Sequence, residues 1–373
     1  MTKGRYTALI AGYTGAVGGA LARDLAGRAE WRVYGLARHP PAAVQPAATS
    51  EPAGVGKPAV TGVEAVTGVA ADMADRDRLR RALAPLGGVT HLFYCGRATH
   101  AEQVIEDAAA NLALLDNVVT ATEAAAAGLR HVHLVQGGKY YGVHVGPFLT
   151  PAEESQPRAP IDNFNYDQQD YLSARAATAR WTWSASRPNT LVHFSPAIAR
   201  NLVSTLGAWA AICRELGAAL DFPGPQGAYD SLTQLTTIEL LARAIAWMAT
   251  EPACANEAFN VTNTDLFRWH TLWPRLADAF AMPLGSVRPL RLAEVMAGRG
   301  ELWRQICARH GLVQPDLDRV ANWGYADATL ERTWDEILSH NKARRLGFHD
   351  WDDSPVRFFT ILDRYRQARI LPH

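Results

Sequence analysis

Two side chains in this sequence have the chemistry of a proton donor and its electrostatic partner. Tyr166 lies in the stretch NFNYDQQD, and Lys139 lies in VQGGKYYG. A phenol and an ammonium group that face the same oxygen atom can stabilise negative charge that develops there during a reaction. No tyrosine has a lysine four residues later: Asp170 follows Tyr166 at that spacing, and Tyr171 is followed by Arg175. We therefore expect Lys139 to reach the site of Tyr166 from another loop.

The position of Lys139 favours this catalytic interpretation. Lys139 follows a predicted strand in LRHVHLVQGG, at the carboxyl edge of the predicted sheet, where ligands of such sheets bind. The two glycines before it would let the backbone pass close to a cofactor. The alternative for Tyr166 is structural, because a tyrosine near the start of a helix can also pack at the interface between two lobes.

A glycine turn near the start of the chain predicts a dinucleotide site. The stretch GYTGAVG lies between an apolar strand and a helix, and its glycines have GxxGxxG spacing. In this context they permit a tight turn, a close approach of the backbone to a pyrophosphate and close packing of helix on sheet, with the helix N-terminus facing the anion. The predicted cofactor-binding residues of this turn are Gly12, Thr14, Gly15, Ala16, Val17 and Gly18.

The end of the second strand indicates which dinucleotide binds. Arg38, in YGLARHP, stands where an NAD-binding chain normally carries an acid for the ribose 2′-hydroxyl. A guanidinium suits a 2′-phosphate, so the sequence predicts NADPH; the alternative is an exposed surface arginine. Asp72 and Met73 follow the third strand and are placed to border the adenine, although Asp72 could equally cap the helix that begins near Asp75.

The elements that must position these residues alternate between strand and helix. This alternation predicts an α/β fold with a doubly wound parallel Rossmann-type sheet and a smaller, mainly helical C-terminal lobe. WTWSASRPNTLVHFSP is expected to form one strand, and EAFNVTN a last strand near the sheet edge. Helices are expected at roughly 75–86, 101–128 and 167–180.

The predicted domains follow from these elements. Residues 1–200 form an NADP(H)-binding Rossmann domain, to which 201–263 contributes further helices and an edge strand; 264–373 forms the substrate-binding lobe. Residues 40–62, rich in Pro, Ala, Gly and Thr, are an expected insertion, either a lid or partner-binding loop or a tolerated surface loop.

Composition excludes several classes of function. Lys and Arg together number 37, as do Asp and Glu, so no overall field would attract nucleic acid or a membrane surface. The four cysteines lack metal-ligand spacing, and His131 and His133 lack a third ligand, so no metal is expected. No signal segment or membrane-spanning run is seen, which predicts a cytoplasmic protein. The sequence leaves a homodimer open.

Longer stretches resemble one family. The chain is similar to the progesterone 5β-reductase/iridoid synthase-like (PRISE) family of atypical extended short-chain dehydrogenases/reductases. The matching stretches, in order along nearly the whole chain, are GYTGAVG, WRVYGLAR, THLFYCG, GGKYYG followed by GPF, NFNYDQQD, WSASRPNTLVHFSP, NLVSTLGAWAAIC, FNVTNTDLFRWHTLWPRLADAF and LGFHDW.

This resemblance implies a function and a set of site residues. It implies NADPH-dependent reduction of the C=C bond of a small-molecule enone, with Lys139 and Tyr166 as the catalytic lysine and tyrosine. It further implies substrate contacts from Phe148 and Phe348, and contacts to the nicotinamide half of the cofactor from Leu191, Ile198 and Ala199. As plain residues, these last three are more simply core.

Departures from the family pattern concern the substrate. The insertion at 40–62 is longer than expected, GVHV lengthens the loop before Phe148, and RATH replaces an aromatic-containing stretch after the fourth strand. Two other functions remain open: a carbonyl reductase or epimerase of the extended dehydrogenase type, which the missing tyrosine–lysine spacing argues against, and a non-catalytic NADP(H)-sensing regulator.

Overall fold

The computed structural model describes residues 5–41, 66–98 and 106–373. Most of the predicted insertion at 40–62, and Thr99 and His100 of the RATH stretch, lie outside the described residues. In the described ranges, no helix has both the length and the apolar character that crossing a membrane requires.

The strands and helices alternate over the first half of the chain, as predicted. The strands are β1 Tyr6–Ala11, β2 Trp31–Ala37, β3 Thr67–Ala70, β4 His91–Tyr94, β5 His131–Val135, β6 Thr182–Pro188, β7 Thr190–Val192, β8 Leu220–Phe222, β9 Leu232–Thr233, β10 Leu235–Thr237, β11 Glu257–Val261, β12 Phe267–Arg268 and β13 Leu284–Val287. The helices are α1 Ala16–Ala26, α2 Arg76–Leu83, α3 Ala108–Ala125, α4 Phe164–Ala176, α5 Leu202–Glu215, α6 Gln226–Asp230, α7 Ile238–Thr250, α8 Trp269–Ala279, α9 Leu292–Val295, α10 Gly300–His310, α11 Trp323–Leu330, α12 Asn341–Arg345 and α13 Ser354–Gln367.

Seven strands form one parallel sheet in the order β11-β6-β5-β4-β1-β2-β3. Side chains alternate between its faces: Ala8 and Ile10 of β1 pack with α1 and α7, whereas Leu9 and Ala11 pack with α2 and α3. Helices therefore cover both faces, and the predicted doubly wound Rossmann-type fold is confirmed. The strand order reverses beside β1, so a crevice opens at the carboxyl ends of β1 and β4.

A separate core holds the C-terminal helices together. Its buried side chains come from β8, α5, α8, α10, α11 and α13, and include the tryptophans Trp269, Trp273, Trp303 and Trp323. Helix α5 thus packs with the helices that follow residue 264, whereas α7 and β11 pack with the sheet.

Helix boundaries differ from the predicted ones because polar caps set them. The Asp75 side chain accepts a hydrogen bond from the amide of Arg78, Asp107 accepts from Ala110, and Asn163 accepts from Asn165. These bonds satisfy amides that the first helical turn leaves unpaired. Helix α4 consequently begins three residues earlier than expected, and Tyr166 is its third residue.

The stretch WTWSASRPNTLVHFSP, predicted to form one strand, forms two. β6 ends at Pro188, and β7 leaves the main sheet to pair with β10. Proline has no amide hydrogen to donate to a ladder, which explains why the strand is interrupted there.

Candidate active site

One cavity lies at the carboxyl ends of β1, β2 and β4, beside α3. Its volume is about 590 Å³, within the range of about 300–1,000 Å³ that small-molecule sites occupy. It is lined by six of the predicted cofactor residues: Gly12, Thr14, Gly15, Arg38, Asp72 and Met73.

The glycine turn shapes one wall of this cavity. Gly12 has φ of 81°, and its carbonyl oxygen accepts a hydrogen bond from the amide of Gly15 at 3.0 Å. Helix α1 begins after Gly15, and no capping side chain accepts a hydrogen bond from the backbone amides of its first turn. A methyl group at Gly18 would collide with the Gly12 carbonyl oxygen, so Gly18 serves the close packing of helix on strand. Ala16 and Val17 pack against the sheet rather than line the cavity.

The opposite wall comes from helix α3, which the sequence interpretation missed. Ala110, Ala113, Leu114 and Asn117 line the cavity. Their spacing of three and four residues puts them on one helical face. The signal was present as a polar residue among small ones, but apolar periodicity alone reads this face as core. The side chain of Asn117 donates to the carbonyl oxygen of Met73 at 2.9 Å and so joins α3 to the loop after β3.

Asp72 is not the cap of α2. Its Oδ1 accepts from the amide of Ala74 at 3.0 Å, and Asp75 caps the helix instead. Asp72 therefore remains with Arg38 at the rim of the cavity. Arg38 is exposed at the end of β2.

Lys139 lies in a 3₁₀ turn, Gly138–Tyr141, that follows β5. Its Nζ is 2.5 Å from Oε1 of Glu106, a carboxylate whose side chain is only 6% exposed. The backbone carbonyl of Lys139 accepts from Nδ2 of Asn163, the cap of α4, at 2.7 Å. Both the main chain and the amine of Lys139 are thus held by other elements.

The Tyr166 hydroxyl donates to the carbonyl oxygen of Tyr140 at 2.7 Å and accepts from the amide of Ala159 at 3.1 Å. Burial raises the pKa of the Tyr166 phenol above its ordinary value, so the hydroxyl is protonated at neutral pH. The structure brings the segments of Lys139 and Tyr166 together. Among the described residues no hydrogen bond joins their functional groups, because each has its own partners.

Asp170 occupies the position where a lysine was missing. It binds Arg158 through both carboxylate oxygens, at 2.7 and 2.5 Å, and these hydrogen bonds lower the pKa of Asp170. The Arg158 guanidinium lies 4.8 Å from the centre of the Tyr166 ring. A cation therefore does lie beside this tyrosine, but it comes from the loop that precedes α4.

A buried arginine connects the elements of the site. Arg187 on β6 is 1% exposed and donates to Gln136, to the hydroxyl of Tyr141 and to Gln169 at 2.9–3.0 Å. Its guanidinium lies 3.3 Å from the ring centre of Tyr140. β6, the 3₁₀ turn and α4 are thereby fixed to one another.

The remaining predicted residues are spread around the crevice. Phe148 packs against the cluster that contains Tyr140 and Tyr166. Phe348 is 5% exposed and packs on Trp247 at a ring distance of 5.2 Å, in the core beneath α1 and α7. The structure does not bring Phe348 into the cluster of Phe148.

The three residues predicted near the nicotinamide lie on β7 and the loop after it. Leu191 packs on the sheet face that α1 and α7 cover, and Ile198 and Ala199 are partly exposed in the loop before α5. None of the three lines the cavity described above.

Similarity to known sequences extends over nearly the whole chain. The PRISE-like Rossmann-fold domain matches residues 34–372. The chain is 34% identical to "3-oxo-Delta(4,5)-steroid 5-beta-reductase" of Arabidopsis thaliana, over 98% of this chain and 93% of the relative. It is also 34% identical to an "(S)-8-oxocitronellyl enol synthase" of Nepeta racemosa, over 98% of this chain and 91% of the relative.

Solved structures share the fold at low sequence identity. A short-chain dehydrogenase/reductase superfamily protein of Agrobacterium tumefaciens with bound NAD superimposes with a TM-score of 0.65 at 14% identity. The match covers 98% of both chains. Similarity at this level of identity supports the architecture alone.

Proposed function

This chain is an oxidoreductase that belongs to the PRISE-like Rossmann-fold family, and we propose that it uses NADPH to reduce the C=C bond of an α,β-unsaturated carbonyl compound. The observation that carries the proposal is the 34% identity, over 98% of the chain, to a 3-oxo-Δ4,5-steroid 5β-reductase. The packing of the Lys139 and Tyr166 segments against each other agrees with it.

The residues of the cavity suit a dinucleotide phosphate. The uncapped start of α1 offers backbone amides to a pyrophosphate, and Arg38 at the rim offers a guanidinium to a 2′-phosphate. No acidic residue stands at the end of β2 to bind a ribose 2′-hydroxyl instead. These features favour NADPH over NADH.

In the proposed reaction, the protein stabilises the negative charge that develops on the substrate. NADPH, when bound, supplies a hydride to the β-carbon of the enone. Negative charge then collects on the carbonyl oxygen of the substrate, where the Tyr166 hydroxyl would donate a hydrogen bond and the Lys139 ammonium would lie nearby. One preorganised donor of this kind contributes about 3–4 kcal/mol. Solvent can protonate the α-carbon.

Tyr166 must change partner to perform this role. Its single proton is donated to the carbonyl oxygen of Tyr140, so a substrate oxygen has to replace that acceptor. The phenol stays a good donor, because burial raises its pKa and keeps it protonated.

The environment of Tyr166 does not favour the alternative functions of alcohol oxidation or epimerisation. Such reactions need a phenol that readily loses its proton. The pKa of Tyr166 is raised by burial, and the residue four positions later is an aspartate bound to Arg158. Hydrogen-bond donation to an enolate is the role that a protonated phenol can fill.

Turnover of defined enones tests the proposal. Purified protein with NADPH should consume cofactor in the presence of a 3-oxo-Δ4-steroid or a small cyclic enone, and the product should be the saturated ketone. An allylic alcohol as product would point to carbonyl reduction instead. Cofactor binding without turnover across a broad panel of enones would overturn the proposal and favour the sensing role.

A further inference from the structure

Glu106 is a buried carboxylate at the entry to helix α3, and it lies between two cations. Its Oε1 is 2.5 Å from Nζ of Lys139 and 3.5 Å from a guanidinium nitrogen of Arg97. Arg97 also lines the cavity at the carboxyl end of β4. Glu106 therefore connects the cofactor cavity to the lysine of the candidate active site.

The position of Glu106 is fixed by the residues that follow it. Asp107 caps α3 by accepting from the amide of Ala110 at 2.9 Å. The side chain of Asn111 donates to the Asp107 carbonyl at 2.8 Å and accepts from the amide of Ala98 at 2.9 Å. The start of α3, directly after Glu106, is thus tied to the loop after β4.

The charge of Glu106 is stabilised by its neighbours. Burial raises the pKa of the Glu106 carboxyl, but the hydrogen bond and charge of Lys139, together with the charge of Arg97, outweigh it, and the pKa lies below its ordinary value. The carboxylate is therefore ionised at neutral pH.

We infer that Glu106 is a positioning residue that aims the ammonium group of Lys139 at the reacting oxygen; this inference rests on the proposed enone reduction. An ammonium group has three donors, and the carboxylate occupies one of them. The other two are directed away from Glu106 and remain for cofactor and substrate. Without the carboxylate, the long side chain of Lys139 would rotate among many conformers, and fewer molecules would present the amine correctly.

A double-mutant cycle between Glu106 and Lys139 tests this inference. The variants are Glu106→Gln, Lys139→Met and the pair, with Glu123→Gln as control. Glu123 lies in α3, the helix that Glu106 precedes, and binds Arg175 and Trp181 away from the site. Steady-state rates with NADPH and an enone, and unfolding in urea, are measured for each variant.

Positioning predicts a definite pattern. Glu106→Gln should lower kcat by about tenfold to 100-fold, the effect of a misplaced catalytic group, with a smaller change in the KM for enone. In the Lys139→Met background the same change should have little further effect on kcat, because its route of action is gone. Glu123→Gln should leave kcat unchanged.

Several outcomes would overturn the inference. One is a kcat of Glu106→Gln equal to that of the unmodified protein. Another is an equal loss of kcat on Glu106→Gln in the unmodified and the Lys139→Met backgrounds, which would indicate a general structural role. If Glu106→Gln does not fold, Glu106→Asp serves instead: it keeps the charge but shortens the side chain, and an unchanged kcat would contradict positioning. Absence of enone turnover by the unmodified protein would instead refute the proposed function, and the two failures are distinguishable.

Discussion

Tyr166 illustrates, at the scale of single residues, how a reactive group can be present but engaged. Its hydroxyl both donates and accepts a hydrogen bond to backbone groups of neighbouring loops. The Arg158 guanidinium packs on the ring of Tyr166 and is itself bound by the Asp170 carboxylate. These contacts hold the loop that contains Arg158 against the tyrosine. Binding of a substrate oxygen must therefore compete with an existing intramolecular acceptor.

Replacing Tyr166 with phenylalanine should remove the proposed donor and leave the cofactor site intact. We expect kcat with an enone to fall by about 100-fold to 1,000-fold, the effect of losing one donor to a developing oxyanion. The dissociation constant for NADPH, measured by fluorescence titration, should stay nearly the same. Tyr171→Phe is the control: Tyr171 is also in α4, but its hydroxyl donates to Oδ1 of Asp116 in α3 at 2.8 Å. A Tyr166→Phe variant with full activity would contradict the catalytic role.

Arg38 should determine the choice between the two nicotinamide dinucleotides. Hydrogen bonds to a charged group contribute about 1.5–3 kcal/mol, which corresponds to roughly tenfold to 100-fold in affinity. Arg38→Ala should raise the KM for NADPH by that factor and leave the KM for NADH unchanged. Arg32→Ala is the control, because Arg32 is an exposed residue of β2, the strand that Arg38 follows. This change should alter neither value. An equal loss for both cofactors would argue against a 2′-phosphate contact.

Three elements meet at Arg187, and none of its hydrogen-bond partners in the described part of the chain carries a charge. A buried cation of this kind is unfavourable unless its hydrogen bonds are satisfied. Here the bonds join β6, the 3₁₀ turn after β5 and helix α4. The relative placement of Lys139 and Tyr166 thus depends on a residue that contacts neither functional group.

Arg187→Met should destabilise the protein and disturb the site together. Each buried acceptor left without a donor costs about 1–3 kcal/mol, so the loss in the free energy of unfolding should reach several kcal/mol. Arg175→Met is the control, because Arg175 is about one-third exposed and its ion pair with Glu123 lies near the surface; its loss should be about 1 kcal/mol or less. Urea unfolding measures both, and equal values for the two variants would contradict the structural role of Arg187.

Across the whole molecule, buried neutral histidines make stability depend on pH. Burial lowers the pKa of each of them below the ordinary value of 6.5: to about 4 for His91, His193 and His340, to about 3 for His133, and well below 6.5 for His131. The ring nitrogens of the neutral His131 and His133 form hydrogen bonds with hydroxyl groups of β6, among them those of Ser184 and Ser186.

The protein should lose stability in acid. Below pH 6.5 the unfolded chain takes up protons that the folded protein binds only near pH 3–4, so the free energy of unfolding falls as the pH falls through this window. For the histidines whose pKa falls to about 4, the loss is about 3 kcal/mol each, which is large beside the total stability of an ordinary protein. As the pH is lowered, we expect the protein to unfold cooperatively before pH 4 is reached. Circular dichroism measures this transition.

A matched pair of variants identifies the histidines as the cause. His133→Gln removes one buried titrating group and should reduce the slope of stability against pH, whatever its effect on stability at pH 7. His349→Gln removes an exposed histidine and should leave the slope unchanged. Stability that stays constant from pH 7 to pH 4 would contradict the prediction.

The sequence alone determined the fold class and several of the residues that line the cavity. Strand–helix alternation and the GxxGxxG turn are local patterns, because the glycines are needed by a single turn and its helix. Such patterns predicted Gly12, Gly15, Arg38 and Asp72, which the cavity gathers. The missing lysine after Tyr166 led to the expectation that Lys139 approaches from another loop. The structure ties the backbone of that loop to the start of α4 through Asn163, and a shared catalytic role stays a prediction.

Only the tertiary structure decided the partners of the reactive groups. Glu106 and Lys139 are 33 residues apart, and Arg187 and Tyr141 are 46 apart. Which side chains meet at such separations depends on strand order and on the packing of helices across the sheet, and no local pattern encodes this. For the same reason the placement of Phe348 in a different core from Phe148, and the cation that Asp170 brings to Tyr166, could be seen only after the chain was folded.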